Sequence, residues 1–535
     1  MLGNTHISWS TNLARLIFVV LILIVAIGPL ISLVIDTASW AWRSSATDFD
    51  NIASWSRQFY LLLKSAGFAI AVTIADVLIA VFAASRFWTW NTRVSWTVAA
   101  LLFSMIAIPP YIHILAWRFA IDWLNAQLGT VGLPELVFSG WGAAWWVQTM
   151  ALAPVSTGLA LLGLYSVDSR LFDVGRLVRP DIDAFRLIVL PLAAPPLLAA
   201  SGFVFLFTIV DYSVPSAFLL NTYALEIFAE FSANHSTARA FLTSSPLLVL
   251  TLIVLALTLK FLRQVPVRPH LRKRSRQCTP FWPRWFARLQ GLAVAILVIQ
   301  IVVPIFSLGV LTNNWTAIED AILSASDEIM ATARTAALAS VIGIPIAFFA
   351  ASRMGRVRTY WWFLVLLPIG LPAPLVGIGI ISLWNNDWTY AVYDSELILV
   401  LTYLARFLAV ATLVMYAQLR RTDSLLLDAA RIVRPSGTAY WTQIYIPLMM
   451  RSGLVAMILT FVLALGELPA SLLTLPPGSS TITIRVYNYM HYGASEMVAS
   501  LCLLIPLLTI AYSTILFLLA YGWRQLLPKL PRRVE

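Results

Sequence analysis

Charge is the first thing this sequence lacks. Of 535 residues only 11% are Asp, Glu, Lys or Arg, while 60% are hydrophobic and the mean hydropathy is +0.83. A soluble domain carries about a quarter charged residues, so this composition excludes an ordinary soluble enzyme. Acid is scarcer than base, 25 residues against 36, giving a formal charge of +11. That excess does not indicate nucleic-acid binding, because the bases gather in short segments between apolar runs. Cysteine is nearly absent. Cys278 sits in a basic stretch and Cys502 in an apolar run, and neither has the neighbours of a metal site or a disulfide framework. No Gly-x-x-x-x-Gly-Lys-Ser/Thr phosphate loop occurs, and no nucleophile, metal or paired-carboxylate constellation stands out. No cofactor is expected in this chain, and no catalytic residue. No small-residue cleavage site follows the first apolar run, about Leu16 to Ile35, so that run is expected to be retained in the membrane.

Long apolar runs are what the sequence has instead. Crossing the hydrocarbon core takes about 20 apolar residues in a helix. Runs of that kind centre near residues 26, 73, 106, 153, 200 and 252, and again near 299, 341, 371, 407, 460 and 509. The expected fold is an all-α membrane protein with about twelve transmembrane helices, six plus six. The proline-rich runs around Pro109 and Pro372 are expected to be irregular. The tryptophans, such as Trp145, Trp146, Trp361 and Trp362, are expected to anchor at the membrane interface.

Basic residues orient the chain. A cytoplasmic N-terminus puts Arg86, Arg93, Arg176, Arg179 and the Arg263–Arg288 segment inside. It also puts Arg353, Arg356, Arg358, Arg420, Arg421, Arg431, Arg434 and the Arg524–Arg533 tail inside. The opposite face receives Asp48, Asp50, Glu319, Asp320, Asp327, Glu328, Asp387, Asp394 and Glu396, with only scattered bases such as Arg43, Arg57, Arg118, Arg239 and Arg485. Both termini are therefore expected in the cytoplasm. The polar stretch 264–286, with Arg272, Lys273, Arg274 and Arg276, reads as a basic cytoplasmic linker between a first unit, 1–263, and a second, 287–535.

The two units repeat one another. Phe82-Ala-Ala-Ser-Arg86 recurs as Phe349-Ala-Ala-Ser-Arg353, Arg176-Leu-Val-Arg-Pro180 as Arg431-Ile-Val-Arg-Pro435, and Leu190-Pro191-Leu192 as Ile446-Pro447-Leu448. Six spans separate equivalent points, so both copies insert the same way round. An axis along the membrane normal relates them, and a pathway is expected between them.

The loops near 168–186 and 421–446 follow the fourth and tenth spans. Each starts as a short amphipathic helix, is interrupted by Pro180 or Pro435, and re-enters the membrane. They resemble the EAA motif of ABC-importer permeases: a Glu-Ala-Ala triplet, a downstream glycine and a later Leu-Pro. Asp173-Val174-Gly175 and Asp428-Ala429-Ala430 match the triplet with Asp for Glu, and Leu190-Pro191 and Ile446-Pro447 close the motif. Arg179 and Arg434 stand where the motif glycine usually does. The resemblance covers the whole chain, whose fused six-plus-six layout is similar to permeases for ferric iron, thiamine and polyamines in bacterial cytoplasmic membranes. It implies two type I permease repeats, two separate ATP-binding cassette subunits carrying the ATP and Mg, and an extracytoplasmic substrate-binding protein. It also implies that Asp173, Val174, Gly175, Arg176 and Arg179, with Asp428, Ala429, Ala430, Arg431 and Arg434, couple the chain to those ATPases.

Acids inside apolar spans are costly and usually face a cavity or a partner. Asp76, Asp211 and Glu467 qualify, and the last two are equivalent in the repeat. Their contexts are Asp211-Tyr212-Ser-Val-Pro215 and Gly466-Glu467-Leu-Pro469. Two readings stay open: a symmetric acidic pair beside a pathway, favouring a cation or an amine, or two acids that cap or cross-link helices. Arg406, with no basic counterpart near Ala151, is expected to pair with Glu467. Asp76 is expected to make a helix-packing hydrogen bond. The stretch from Pro476 through Arg485, Tyr487, His491 and Glu496, with its counterpart containing Glu226, Asn234 and His235, is a candidate contact for the binding protein. Ferric iron is the first cargo expected. Thiamine, polyamines and phosphonates are open, and so is a twelve-helix secondary transporter. The topology is directly testable: alkaline phosphatase fused after Asp320 is expected to be active and green fluorescent protein fused at Glu535 fluorescent, whereas exchanging the two reporters should silence both.

Overall fold

The computed structural model describes residues 16–43, 55–89, 92–264, 280–312, 315–354, 359–422, 425, 429, 444–492 and 495–526. All regular structure among the described residues is helical. The helices are α1 (Leu16–Arg43), α2 (Trp55–Thr89), α3 (Thr92–Met105), α4 (Pro110–Thr130), α5 (Gly140–Ser166), α6 (Ser169–Arg176), α7 (Asp181–Val210), α8 (Tyr223–Asn234) and α9 (Thr237–Leu262). After the linker come α10 (Arg284–Leu311), α11 (Trp315–Ser324), α12 (Ser326–Met354), α13 (Tyr360–Gly370), α14 (Ala373–Trp384), α15 (Leu397–Arg421), α16 (Ile446–Leu465), α17 (Ile482–Tyr492) and α18 (Ser495–Leu526). The second unit therefore begins its first helix at Arg284, slightly inside the stretch assigned to the linker.

Ten of these, α1, α2, α5, α7, α9, α10, α12, α15, α16 and α18, are long and apolar enough to cross a membrane, which marks a multi-pass membrane protein. An eleventh crossing forms if α13 and α14, bent by 105°, count as one broken span. The run centred near 106 is likewise two helices, α3 and α4, parted at residues 106–109. Proline explains both interruptions. Its ring fixes φ, removes a donor and drives the preceding residue out of the helical region. Pro109 is accordingly extended (ψ 155°), as are Leu371 and Pro372 (ψ 132° and 135°). The irregularity expected around Pro109 and Pro372 is present.

Without a hydrophobic force between helices in lipid, close packing and interhelical hydrogen bonds hold a bundle together. The most extensive pairings are α2 with α5 and α12 with α15. The first helix of each unit crosses to the other unit: α1 lies on α14 and α15, and α10 lies on α2 and α4. At the α1–α14 crossing the Ser32 and Ser382 hydroxyls meet at 2.5 Å, and Asp36 accepts from Ser382 (2.7 Å) and from Thr237 of α9 (3.0 Å). At the reciprocal crossing Gln290 donates to Ser85 (2.9 Å). Asp76 makes the expected packing bond, accepting from Ser156 of α5 at 3.4 Å.

One expectation needs correction. Trp361 and Trp362 are buried rather than at an interface, and their indole N–H groups donate to the Ala350 and Met354 carbonyls (3.1 and 2.8 Å). The end of α12 leaves carbonyls without helical partners, and the Trp362 indole satisfies that of Met354. Trp146 is half-buried, edge-on to Trp117 at 5.2 Å.

Gly379 lets α1 and α14 touch: a Cβ there would lie 2.6 Å from the Pro29 carbonyl oxygen. Gly379→Ala is expected to destabilise the detergent-solubilised protein by about 1–3 kcal/mol. Gly67→Ala, whose Cβ meets nothing within 4 Å, should leave the melting temperature unchanged or slightly raised.

Candidate functional site

The apolar rods α7 and α16 stop at Val210 and Leu465, and each is followed by a short unwound turn carrying an acid and then a proline. Asp211 and Glu467 therefore stand one and two residues beyond their helices and not within them. Asp211 Oδ1 accepts from the backbone N–H and the hydroxyl of Ser213 (3.0 and 2.8 Å), capping the short helix Ser213–Ala217. Glu467 Oε1 accepts from the Ala470 N–H (3.0 Å), capping the turn that leads into Ser471–Thr474. Both acids thus do what carboxylates do at helix starts, accepting donors the helix leaves unpaired.

The two are not equivalent in charge. Arg406 of α15 brings Nε within 3.4 Å of Glu467 Oε2, the pair expected from the sequence, and its Nη1 donates to the Leu371 carbonyl at 3.3 Å. One guanidinium therefore neutralises the second acid and satisfies a carbonyl exposed by the α13–α14 break. Of the two acids, only Asp211 has no ion-pair partner among the described residues.

Side chains from both units surround this acid. Glu467 lies near enough to repel the Asp211 carboxylate, and Gln148 of α5 faces it. Tyr212 lies among Asp211, Glu467 and Tyr487 and stacks on Phe228 at 5.5 Å. Asp211 Oδ2, Gln148 Oε1 and the Tyr212 hydroxyl are buried without a partner at hydrogen-bonding geometry. A buried polar atom left unpaired costs about 1–3 kcal/mol, so their gathering at one level is a built-in demand for polar contact. Nearby, Phe207, Val210, Pro368, Ile369 and Arg406 line a cavity of about 10 Å³, room for one water. Among the described residues no three His, Cys, Asp or Glu side chains come together, so this level offers charge and hydrogen bonds and not a metal cage.

At the arginine-rich end, α6 forms a knob on the start of α7. Asp168 caps it by accepting from the Arg170 N–H at 3.1 Å. Phe172 buries itself edge-on to Trp88 at 5.3 Å. Gly175 lies close against α7: a Cβ there would come 2.5 Å from Ile188 Cδ1 and 3.3 Å from Ala184 Cβ. Arg176 turns inward and grips Asp181 with two hydrogen bonds (2.8 and 3.1 Å), with Asp173 4.0 Å away. Phe281 at the linker's end donates its N–H to the same Asp181 (2.5 Å), and Trp282 packs edge-on to Phe185 at 5.6 Å.

The knob's free surface differs from the one expected. Arg176 and Gly175 hold it in place, while Val174, Leu177 and Val178 project outward, 61%, 84% and 83% exposed, beside exposed Arg170, Arg179 and Arg186. Leu177 and Val178 were not singled out in the sequence, although 174, 177 and 178 follow the i, i+3, i+4 spacing of one helical face. The same spacing recurs at Ala429, Ile432 and Val433. Of the second loop's residues, Asp428, Ala430, Arg431 and Arg434 lie outside the described residues, and Ala429 is helical and exposed.

The opposite end is acidic, and most of its bases are paired: Arg57 with Glu226, Arg239 with Glu230, Arg334 with Glu396, and Arg485 with Glu328. Of the candidate outer contacts, Glu226 and Asn234 fall on the non-spanning helix α8, Arg485, Tyr487 and His491 on α17, and Glu496 at the start of α18, while His235 caps α8 in the left-handed region (φ 51°). No known protein-family model matches the chain, and no curated protein matches it either.

Removing one partner of a buried ion pair strands the other charge, at about 3–5 kcal/mol. Arg406→Gln alone should therefore sharply lower thermal stability. Arg406→Gln combined with Glu467→Gln, which keeps the cap, should recover most of the loss. If the single and double variants melt alike, the pair is not what stabilises this level.

Proposed function

We propose that the chain is the transmembrane permease of an ATP-driven importer of the ABC type, with both six-helix halves fused and related by an axis along the membrane normal. It would work with two ATP-binding cassette subunits at the arginine-rich, cytoplasmic end and an extracytoplasmic binding protein at the acidic end. Both termini would be cytoplasmic, and the membrane would be the bacterial cytoplasmic membrane. ATP and Mg would be held by the partner subunits. The broken runs 92–130 and 360–384 would be the third and ninth of twelve spans.

The observation that carries this reading is a rigid knob fixed to the helix that ends at the uncompensated acid. α7 runs 30 residues from Asp181 to Val210, about 45 Å at the helical rise. Gly175 against Ile188 and Arg176 against Asp181 clamp α6 to its start. Displacement of the knob is thereby transmitted along α7 to Asp211. The π turn at Phe185–Val189 and the prolines at 191, 195 and 196 give the rod places to bend. The exposed Val174, Leu177 and Val178 with their arginine rim supply an apolar anchor and a positive border, suited to an acidic-edged groove on an ATPase.

The site favours a positive cargo. Asp211, with one open carboxylate oxygen beside the Tyr212 and Gln148 polar atoms, attracts cations and donors and repels phosphonates. Ferric iron is the first candidate on resemblance, with thiamine and polyamines next. The rival, a secondary transporter, would use the same acid for protons and would need no knob partner.

Two experiments separate them. Gentle purification from the native host should recover a P-loop ATPase, and Leu177→Glu with Val178→Glu should cut that recovery about tenfold or more without altering the size-exclusion profile. Asp211→Asn should depress ATP-driven uptake of cationic cargo into vesicles about tenfold while leaving the ATPase bound. Uptake that proceeds without ATP, on an ion gradient, would sink the importer reading.

A further inference from the structure

Beside α16, away from the centre, a groove of about 490 Å³ opens between α16 and α18. This lies within the range of about 300–1,000 Å³ typical of sites for small molecules. Leu454, Phe517 and Leu518 form its apolar wall, with Thr514 and Tyr521 along one side and Arg451 at its end. Arg451 is exposed and, among the described residues, has no hydrogen-bond or ion-pair partner. It is the sixth residue of a span that begins at Ile446. A charge that far into an apolar span normally faces a cavity or a counter-charge. Here it lines the groove beside Phe517, Leu518 and Tyr521, near the end of α18.

The residues that line the groove differ from those at the matching positions of the first unit. By the repeat offset that equates Pro447 with Pro191, Arg451 falls opposite Pro195 and Ile458 opposite Gly202. Gly202 lets α7 press against α9, since a Cβ there would lie 2.0 Å from Thr258 Oγ1. The bulk of Ile458 stands at the matching position of α16, and α16 and α18 lie together over less of their length than α7 and α9 do. At these positions the first unit has a close helix contact and a proline, whereas the second has a bulky side chain and a base.

We propose that this groove is a binding site for one anionic phospholipid, its phosphate on the Arg451 guanidinium and an acyl chain along Leu454, Phe517 and Leu518. Guanidinium binds phosphate oxygens in pairs, and basic pockets between spans at the headgroup level suit acidic lipids. Bound there, the lipid wedges the foot of α16, the rod that ends at Glu467. The inference rests on the helices crossing a bilayer and is independent of what the chain transports.

The test uses the full chain in mild detergent, titrated with phosphatidylglycerol or phosphatidylcholine and followed by native mass spectrometry and melting temperature. Phosphatidylglycerol should add one retained lipid and raise the melting temperature, phosphatidylcholine should do so weakly, and inorganic phosphate should do neither. Arg451→Gln should weaken the retained phosphatidylglycerol about fivefold without lowering the lipid-free melting temperature. If Arg451→Gln misfolds, Leu454→Trp, which fills the groove and keeps the arginine, should reduce retention. Equal binding of both lipids, or retention unchanged in both variants, would show that Arg451 merely reaches to the interface, and the site would be abandoned.

Discussion

A bilayer offers no hydrogen bonds to a polypeptide backbone, and each interruption of a helix at membrane depth must be satisfied from within the protein. The most informative features of this chain follow from that constraint. Proline interrupts the helices at 106–109 and 371–372, and unwound turns follow Val210 and Leu465. Arg406 answers the Leu371 carbonyl, Asp211 and Glu467 answer the turns, and Pro109 packs against Gly466, where a Cβ would meet it at 2.7 Å. The polar centre is thus the place where broken backbone had to be answered by side chains. Once acids and tyrosines are there, they supply a chemistry that an unbroken bundle would lack.

The knob and the centre are two ends of one element. α7 carries the clamp at its foot and Asp211 at its head, so local packing at Gly175 becomes a long-range mechanical link. The linker joins the same clamp. Asp181 accepts from both Arg176 and the Phe281 N–H, and aromatic contacts among Phe185, Trp282 and Phe286 continue into the first turns of α10. The foot of the first unit and the start of the second are therefore one packed body.

Much of this was legible in the sequence, for identifiable reasons. Apolar length is a crude but strong signal, and it located the ten spans. Paired prolines marked the irregular runs, and a lone base one span before an acid marked Arg406 and Glu467. What escaped was direction. Sequence places Arg176 on an amphipathic helix but does not say that Asp181, five residues on, will turn it inward and leave Leu177 and Val178 outside. It does not say that Trp361 and Trp362 will fold back onto the end of α12. It also gave no sign of Asp36, whose partners Ser382 and Thr237 are set by the crossing of α1 to the far unit. Such contacts depend on tertiary packing, and no local pattern encodes them.

That crossing has a consequence for synthesis. Asp36 and Ser382 are 346 residues apart in the chain. At about 5–20 residues per second, translation needs on the order of 17–70 s to deliver the second after the first. Thr237 can reach Asp36 after 201 residues, but the Ser32 face of α1 has to wait for Ser382. A helix made early thus completes its packing only once the second unit is well advanced.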